Sequence, residues 1–555
     1  MIVKNEANNL PRCLESIAEI AQQIVVVDTG STDDTVDIAG RHGAEIFYFS
    51  WNDSFSDARN HSLAFARGQW ILVMDADDEL VQEDIPKLKE LMSTETAEAY
   101  FLQTINSNDL HGCHRGTCHL TLRLFRNRPE YRYIGRIHES IIPSIVEHAG
   151  QKAIKVAPEV RIIHYGYAKQ EVEQKNKIWR NLSLLNKELE SRPPDSFLYY
   201  NLGVEYFRLG DYAKALEYFD QAEADIRWEA AFAPSLVRKK ADCLAFMDRN
   251  REAIQYLEKA LDLYPDYTDL VYRLGLVYMG NHDLLRAVQC FHKCLNMGES
   301  PPHYPHEEGI NSYLAYQALG NAYEMMLERD RAVSAFRCQL ISKPTDLQPV
   351  ANIIRLLLAE KGLDATLSYL DTWFDFSTPA ANLGVSDLFL LHYCPTAALK
   401  FLDRAVNLGT TGDYCHALKG EALLLAGRYK EALAELEAVA PESPYYSRTL
   451  RNRCLLLWAS GCYDEARSLI EHLWSPEPAR DVYLAAQGAL EGSSLPLSLP
   501  VGESTFNLSL YLNLLEKCIC LRNWDLVKKL SSVAENFPEL SPALGKALYR
   551  QGCPN

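Results

Sequence analysis

The spacing of apolar residues divides the chain into two parts with different periods. In the first part, short apolar runs at residues 24–27, 44–49 and 70–74 predict strands, and residues 35–42 and 56–67 predict helices between them. Runs that are apolar on both faces are typical of strands buried in a parallel sheet. The alternation therefore predicts βαβ units and an α/β domain with a mostly parallel sheet.

From about Asp195 onward the period is helical throughout, and one pattern recurs. Three units carry the same residue types at the same offsets: Leu202-Gly203 with Ala215 and Phe219, Leu274-Gly275 with Ala287 and Phe291, and Leu319-Gly320 with Ala332 and Phe336. Helix pairs that repeat in this way stack into an all-α solenoid with a concave face. The pattern resembles the tetratricopeptide repeat and is more specific than that of a generic helical domain.

These patterns give the domain organisation. A chain of 555 residues is too long for one hydrophobic core. We predict an α/β domain at residues 1–190, tetratricopeptide repeats at 196–344 and degenerate helical repeats that continue the solenoid at 345–555. Met1-Ile2-Val3 has the pattern of a strand's end, so we expect the first strand to be truncated.

Charge and cysteine usage narrow the class of protein. The net charge of -18 argues against sequence-independent binding of nucleic acid, which needs an excess of lysine and arginine. The 14 cysteines are scattered, mostly within apolar helical patterns, as buried reduced thiols of a cytosolic protein are. We find no run long enough to span a bilayer and no secretory signal pattern, and we expect a cytoplasmic location.

The main chemical candidate is Asp75-Ala76-Asp77, directly after the strand predicted at 70–74. Two carboxylates one residue apart at a strand end can hold a hard divalent cation, which can also bridge phosphate oxygens. The alternative is a solvated acidic turn that caps the next helix. Asp28 ends an earlier strand, and parallel sheets bind ligands at the carboxyl ends of their strands.

Four segments together resemble, in order and spacing, the family 2 glycosyltransferases of the GT-A fold, which is a Rossmann-like α/β fold. They are residues 1–6 (Met-Ile-Val-Lys-Asn-Glu), 25–35 (Val-Val-Val-Asp-Thr-Gly-Ser-Thr-Asp-Asp-Thr), 57–60 (Asp-Ala-Arg-Asn) and 74–79 (Met-Asp-Ala-Asp-Asp-Glu). The resemblance is dense over roughly the first 80 residues. It implies a nucleotide-sugar donor (UDP-linked by our expectation), a Mn²⁺ or Mg²⁺ ion, and inversion at the anomeric carbon.

The resemblance also implies a role for each matching residue. Asp28 matches the carboxylate that contacts the nucleotide base, and Arg59 and Asn60 match the segment that lines the nucleotide pocket. Asp75 matches the residue that faces the ribose and the metal. Asp77 matches the carboxylate that coordinates the metal.

Three later segments, at 122–127, 133–139 and 162–167, resemble a bacterial subgroup of the same family. Glu139 follows a glycine loop near the acceptor region and is our candidate general base; alternatively, it caps a helix or pairs with Arg136. His164 is a candidate third metal ligand; alternatively, it is a histidine hydrogen-bonded in the core or at the surface. The Cys and His residues between 113 and 119 do not have a common zinc spacing, and a turn is the better interpretation.

The acceptor and the role of the repeats stay open at this stage. The domain combination resembles the peptide S- and O-glycosyltransferases that modify bacteriocins, while the subgroup also resembles enzymes of lipopolysaccharide-core or capsule assembly. The repeats favour a peptide or protein acceptor, although such repeats also mediate homodimerisation. The remaining alternative is a non-catalytic scaffold, in which the repeats bind partners and the first domain is degenerate.

Overall fold

The computed structural model describes residues 1–94, 96–107, 116–165, 171–191, 193–471, 478–492 and 508–531, with single positions at 542, 545 and 548. The chain forms two compact units, Met1–Ser342 and Lys343–Asn555. The first unit contains the α/β domain together with the first repeats. The segment 108–115, which includes Cys113, and the segment 166–170 lie outside the described residues.

The α/β part begins with alternating strands and helices, as the sequence predicts. Its strands are β1 (Ile2–Val3), β2 (Val25–Asp28), β3 (Glu45–Tyr48), β4 (Trp70–Leu72), β5 (Asp78–Leu80), β6 (Ala99–Asn106), β7 (Thr117–Arg126) and β8 (Ile154–His164). Its helices are α1 (Leu10–Ile17), α2 (Thr35–Arg41), α3 (Phe55–Leu63), α4 (Ile85–Ser93) and α5 (Ile142–Ala149). Helix α1 buries Leu10, Cys13, Leu14 and Ile17, whose helical spacing puts them on one face.

The strands form two sheets. The second contains several antiparallel pairs, whereas the sequence predicts a mostly parallel sheet. Strands β1, β2 and β3 are parallel to one another. The second sheet has the order β4-β7-β6-β8-β5. There β6 and β8 run parallel, but β7 is antiparallel to both β4 and β6, and β5 is antiparallel to β8. The connection between β6 and β7 is too short for the crossover helix that parallel neighbours need, so these strands return antiparallel.

The repeats of the first unit are paired helices. They are α6 (Glu171–Ser191), which precedes them, then α7 (Ser196–Arg208), α8 (Tyr212–Ala224), α9 (Ala233–Phe246), α10 (Asn250–Leu263), α11 (Thr268–Gly280), α12 (Leu284–Met297), α13 (Tyr313–Met325) and α14 (Arg329–Ser342). The repeated glycines face the repeated phenylalanines: a Cβ atom added at Gly203, Gly275 or Gly320 would lie closer than 3.0 Å to the ring of Phe219, Phe291 or Phe336. The glycine and the phenylalanine at this fixed offset in the sequence therefore form the packing contact between the two helices of a pair.

The connection between α12 and α13 returns to the α/β domain. It contains strand β9 (His306–Glu307), which pairs antiparallel with the start of β7 through Cys118 and Thr117. The backbone N–H of Glu308 also donates to the carbonyl of Gly116 at 3.3 Å. The repeats therefore contribute one strand to the sheet of the α/β domain.

The regular secondary structure in the described residues of the second unit is all helical. Its helices are α15 (Gln348–Trp373), α16 (Pro379–Leu391), α17 (Pro395–Asn407), α18 (Asp413–Leu425), α19 (Tyr429–Glu437), α20 (Tyr446–Ala459), α21 (Tyr463–Glu471), α22 (Pro478–Leu490), α23 (Leu508–Cys520) and α24 (Trp524–Ser531). Gly420 approaches Leu436 as the earlier glycines approach their phenylalanines. Helical pairing thus extends past the segment where the repeat pattern fades from the sequence.

Two general expectations can be compared with this structure. The cysteines in the described part of the chain are free thiols. None of the described helices combines the length and apolar character that crossing a membrane requires.

Candidate active site

Asp28 lies at the carboxyl end of β2, where the sequence predicts a ligand-binding carboxylate. Its side chain is 4% exposed and accepts hydrogen bonds from the backbone N–H groups of Gly30 at 3.0 Å and Ser31 at 3.1 Å. Gly30 has a φ of 106°, which lets the turn fold back over the carboxylate. The carboxylate is therefore fixed at the sheet edge, while contact with a nucleotide base stays a prediction.

The loop after β1 is held against the loop after β2. Asn5, which has a φ of 56°, accepts from the backbone N–H of Thr32 at 2.7 Å, and its own N–H donates to Ser31 Oγ at 3.0 Å. The N–H of Glu6 donates to Thr35 Oγ1 at 2.8 Å. These hydrogen bonds join the Asn5-Glu6 segment to the segment at residues 31–35. The two segments together form the edge of the sheet beside Asp28.

Asp75 lies between two arginines. Its carboxylate accepts from Arg59 Nη2 at 2.8 Å and from Arg123 Nη1 at 3.1 Å. Burial alone would raise the pKa of Asp75, but the two guanidinium groups outweigh it and hold this pKa well below its usual range. Asp75 is thus a paired carboxylate, and its predicted contacts with ribose and metal stay predictions.

The carboxylates that follow form a cluster with a histidine. Ligand atoms of Asp77, Asp78 and His164 all lie within 4.8 Å of one another. His164 Nδ1 is 2.9 Å from Asp78 Oδ1 and 3.5 Å from Asp77 Oδ1. The cause is strand register, since β5 pairs antiparallel with β8 and sets Asp78 opposite His164. The structure therefore brings Asp77 and His164 together as candidate metal ligands and adds Asp78, which we did not predict.

The electrostatics of this cluster follow from burial and crowded negative charge. Burial, Asp75 and Asp78 raise the pKa of Asp77, and the nearby His164 lowers it less. Burial would lower the pKa of His164, but its hydrogen bond to Asp78 and the charges of Asp77 and Asp78 raise it overall. Asp77 and Asp78 beside His164 offer oxygen and nitrogen ligand atoms to a cation, while Arg123 offsets part of their negative charge.

Glu139 is joined to Asp75 through Arg59. Arg59 Nε donates to Glu139 Oε1, while Arg59 Nη2 donates to Asp75 Oδ1. Their side chains are only 14% exposed for Arg59 and 12% exposed for Glu139. The observed partner of Glu139 is therefore Arg59 and not Arg136, which we had considered as the alternative. Its role as a general base stays a prediction.

The side chain of Asn60 is hydrogen-bonded to the backbone of Tyr133. Its side-chain Nδ2 donates to the carbonyl of Tyr133 at 2.9 Å, and its Oδ1 accepts from the N–H of Tyr133 at 2.8 Å. Both ends of the amide are therefore used to hold the segment at Tyr133 against α3. Direct contact between Asn60 and a nucleotide stays a prediction.

Arg123 is a site residue that the sequence reasoning did not single out. It lies on β7 with its side chain 11% exposed, and Nη1 reaches both Asp75 at 3.1 Å and Asp78 at 3.2 Å. An arginine within an apolar strand is a signal for buried carboxylate partners, because a buried charge needs one. That signal was available in Leu122-Arg123-Leu124-Phe125, although the identity of the partners depends on the fold.

A cavity of about 890 Å³ opens between β2 and β4. Its lining includes Val25, Leu72, Arg59 and Tyr133, but it does not include Asp28, Asp77, Asp78 or His164. The cavity is therefore distinct from the edge that carries the predicted donor-binding groups, although Arg59 touches both.

Comparison with protein families matches the two parts of the chain separately. Residues 1–140 match the model of glycosyl transferase family 2, and residues 196–223, 239–267 and 414–438 match tetratricopeptide repeat models. The first match contains all of the site residues discussed above except His164.

Comparison with individual proteins again finds a tetratricopeptide-repeat protein and a glycosyltransferase. The chain is 33% identical over 294 residues to a tetratricopeptide-repeat-containing protein of Synechococcus elongatus, covering 50% of this chain and 72% of that protein. It is 27% identical over 282 residues to the glycosyltransferase SunS of Bacillus subtilis, from prophage SPbeta, covering 49% of this chain and 64% of that one. Among solved structures, the crystal structure of MamA has 25% identity and a TM-score of 0.26, covering 31% of this chain and 92% of that one.

The family models and the sequence relatives agree with the predicted class. An α/β domain with the family 2 pattern is followed by helical repeats, and a relative that matches about half of this chain is named a glycosyltransferase. Residues 1–140 are therefore a family 2 glycosyltransferase domain, and tetratricopeptide repeats follow it along the chain.

Proposed function

We propose that this glycosyltransferase moves a sugar from a UDP-sugar to a peptide or protein acceptor, with inversion at the anomeric carbon and with a bound divalent cation. The observation that carries the proposal is the cluster of Asp77, Asp78 and His164 beside the arginine-paired Asp75. A domain without catalytic function would not need these carboxylates and this histidine close together, so the cluster argues against a purely scaffolding protein.

The ligand set fits a divalent cation. Ligand atoms that share one octahedral ion at about 2.1 Å lie about 3.0 Å apart. The Nδ1 atom of His164 is 2.9 Å from Asp78 Oδ1, a hydrogen bond that a bound ion would replace, and 3.5 Å from Asp77 Oδ1. Two carboxylates and one imidazole suit Mn²⁺, and carboxylates also suit Mg²⁺. The ion would neutralise charge on the diphosphate of the leaving nucleotide.

The donor would bind along the edge from Asp28 to Asp75. The fixed carboxylate of Asp28 can accept from a base N–H, and that of Asp75 can accept from a ribose hydroxyl. Arg59 and Arg123 hold Asp75 from two sides, so its position is set before the donor arrives. Such preorganisation reduces the free energy needed to order the site on binding.

Glu139 would act as the general base. An inverting displacement needs one group that takes the proton from the acceptor as it attacks the sugar. Arg59 binds both Glu139 and Asp75, so the two carboxylates lie on one guanidinium, and in this proposal Glu139 faces a sugar held beside Asp75. The tetratricopeptide repeats that follow favour a peptide or protein as the acceptor, because repeat surfaces commonly bind extended peptides.

A donor screen tests the proposed function. The full chain would be incubated with UDP-, GDP- and TDP-sugars, with Mn²⁺ or with a chelator, while sugar release and thermal stability are measured. We expect one UDP-sugar to raise the melting temperature and to be hydrolysed slowly, both only with metal. Binding and turnover that are unchanged by the chelator would contradict the metal-dependent proposal.

A further inference from the structure

The segment that carries Glu139 is a closed loop. The N–H of Ile134 donates to the carbonyl of Ser140 at 3.0 Å, and the N–H of Ser140 donates back to Ile134 at 3.0 Å. Within the loop, Gly135 has a φ of 99° and His138 a φ of 53°. Two residues in the left-handed region make this a tight turn that other parts of the molecule must keep in place.

One tie joins the loop to the helix that carries Arg59. The N–H of Phe55, the first residue of α3, donates to the carbonyl of Arg136 at 2.8 Å. Arg59 lies one turn further along α3 and binds Glu139. The loop and the start of α3 therefore form one frame around the Arg59–Glu139 ion pair.

The other tie comes from the helices that begin the repeat array. Ile137, which is 8% exposed, lies in an apolar cluster formed by residues of α6 and α7: Ile178, Leu182, Leu184, Leu185, Leu198 and Leu202. Helix α7 is the first helix of the first tetratricopeptide repeat. The tip of the Glu139 loop thus packs against α6 and the first helix of the first repeat, with Phe55 of α3 beside it.

A second contact between the repeats and the α/β domain acts at a separate point. Strand β9 is fixed on the repeat side by Asp269 of α11, which accepts from the N–H of Glu307 at 2.9 Å and from Ser300 Oγ at 2.9 Å. On the other side β9 pairs with β7, the strand that carries Arg123. The repeats therefore contact two of the elements around Asp75, the Glu139 loop and strand β7.

We propose that Ile137 is a positioning residue for Glu139. Because Ile137 packs against α6 and α7, the first repeat then helps to set the position of the Glu139 carboxylate in the active site. This inference rests on the proposed role of Glu139 as the base. The repeats then do more than bind an acceptor, because they set where the carboxylate stands when the sugar is transferred.

The inference predicts a specific kinetic effect. Removing most of the Ile137 side chain frees the loop tip and removes no direct contact of Asp28, Asp75 or Asp77. A catalytic group that is misplaced by roughly 1 Å can lose about 100-fold in rate. Ile137→Ala should therefore lower kcat at least about tenfold, while the affinity for UDP changes less than about twofold.

The test uses the full chain, Ile137→Ala and four further variants. Ile137→Val keeps most of the buried volume and should restore near-normal kcat. Ile353→Ala removes the same side chain from a fully buried position on α15 in the second compact unit, and it controls for a general loss of stability. Leu198→Ala changes the pocket from the repeat side. The double variant Ile137→Ala/Leu198→Ala should lose no more kcat than the worse of the two single variants, because both act on one contact.

The outcomes separate this inference from the proposed function. An Ile137→Ala enzyme with kcat within twofold of the wild type, or with the same kcat as Ile353→Ala, overturns the positioning role. Glu139→Gln is assayed alongside. If Glu139→Gln is inactive while Ile137→Ala is normal, the inference fails and the proposed base stands. If Glu139→Gln retains full transfer, the proposed base fails and this inference fails with it.

Discussion

Asp78 and His164 lie opposite each other on β5 and β8, with His164 Nδ1 2.9 Å from Asp78 Oδ1. Asp78 is fully buried, and it also accepts from the N–H of Asp75 at 2.7 Å and pairs with Arg123. One carboxylate therefore links the turn after β4, the arginine on β7 and the histidine on β8. This link explains how residues far apart in the sequence form a single charged cluster.

Asp28→Asn should weaken UDP binding and leave the fold intact. The amide oxygen can still accept from Gly30 and Ser31, so the turn survives, but the negative charge that a base N–H would bind is gone. Losing a charged hydrogen-bond partner costs about 1.5–3 kcal/mol, which corresponds to roughly 10- to 100-fold in Kd. Calorimetry with UDP measures this. An unchanged Kd would remove Asp28 from the donor site.

Arg123→Met should destabilise the protein more than a surface arginine variant does. The change leaves Asp75 and Asp78 without one of their cations, and breaking a buried ion pair costs about 3–5 kcal/mol. Arg41→Met on the exposed face of α2 is the control and should change stability by less than about 0.5 kcal/mol. Urea unfolding of both variants tests this. Equal losses would contradict the structural role given to Arg123.

Strand register is the part of this site that the sequence could not supply. The α/β class, the repeats and the family pattern were predictable because hydrophobic spacing and fixed offsets are local. The Asp-x-Asp pattern at a strand end predicts Asp77 as a ligand, and the resemblance adds His164. Asp78 was missed because its pairing with His164 depends on how β5 aligns with β8, and the antiparallel second sheet was missed for the same reason.

Asn60 and Glu139 show a second limit. The family pattern marks these residues but does not say which neighbours they contact. In the fold, Asn60 holds the backbone of Tyr133, and Glu139 binds Arg59. Both partners come from distant parts of the chain, which local patterns cannot identify.

Gly203→Ala should destabilise the first repeat, because the new methyl group would lie closer than 3.0 Å to the ring of Phe219. Overpacking of this kind costs about 1–3 kcal/mol. Combining it with Phe219→Leu should recover part of the loss, since a smaller side chain makes room. Thermal unfolding of the single and double variants measures this. Two losses that simply add would show that the glycine and the phenylalanine do not meet.

The second unit should show an acid-dependent stability that depends on Glu421. Burial would raise the pKa of Glu421, but Lys517 at 2.8 Å and Arg448 at 2.7 Å lower it to about 2, from 4.5. A lowered carboxylate pKa stabilises the fold above the unfolded-state value, and this stabilisation, about 3 kcal/mol, is lost as the pH falls from about 4.5 towards 2. Urea unfolding between pH 6 and pH 3 measures it.

Glu421→Gln is the comparison for that pH dependence. The variant should be less stable near neutral pH, because Arg448 and Lys517 lose their carboxylate, and the difference from wild type should shrink as the pH falls. A difference that stays constant over the range would mean that Glu421 is not the responsible group.

The central claim is that Asp77 and His164 hold a cation that sugar transfer needs. The direct measurement is the rate of sugar transfer, or of donor hydrolysis, by metal-free enzyme as Mn²⁺ is added back, for wild type, Asp77→Ala, His164→Ala and the surface control Asp37→Asn. We predict saturable activation of wild type and of Asp37→Asn, no activity for Asp77→Ala, and a right-shifted Mn²⁺ requirement for His164→Ala, with all four proteins folded. Full activity of the metal-free wild type, or a normal Mn²⁺ response of Asp77→Ala, would contradict the account.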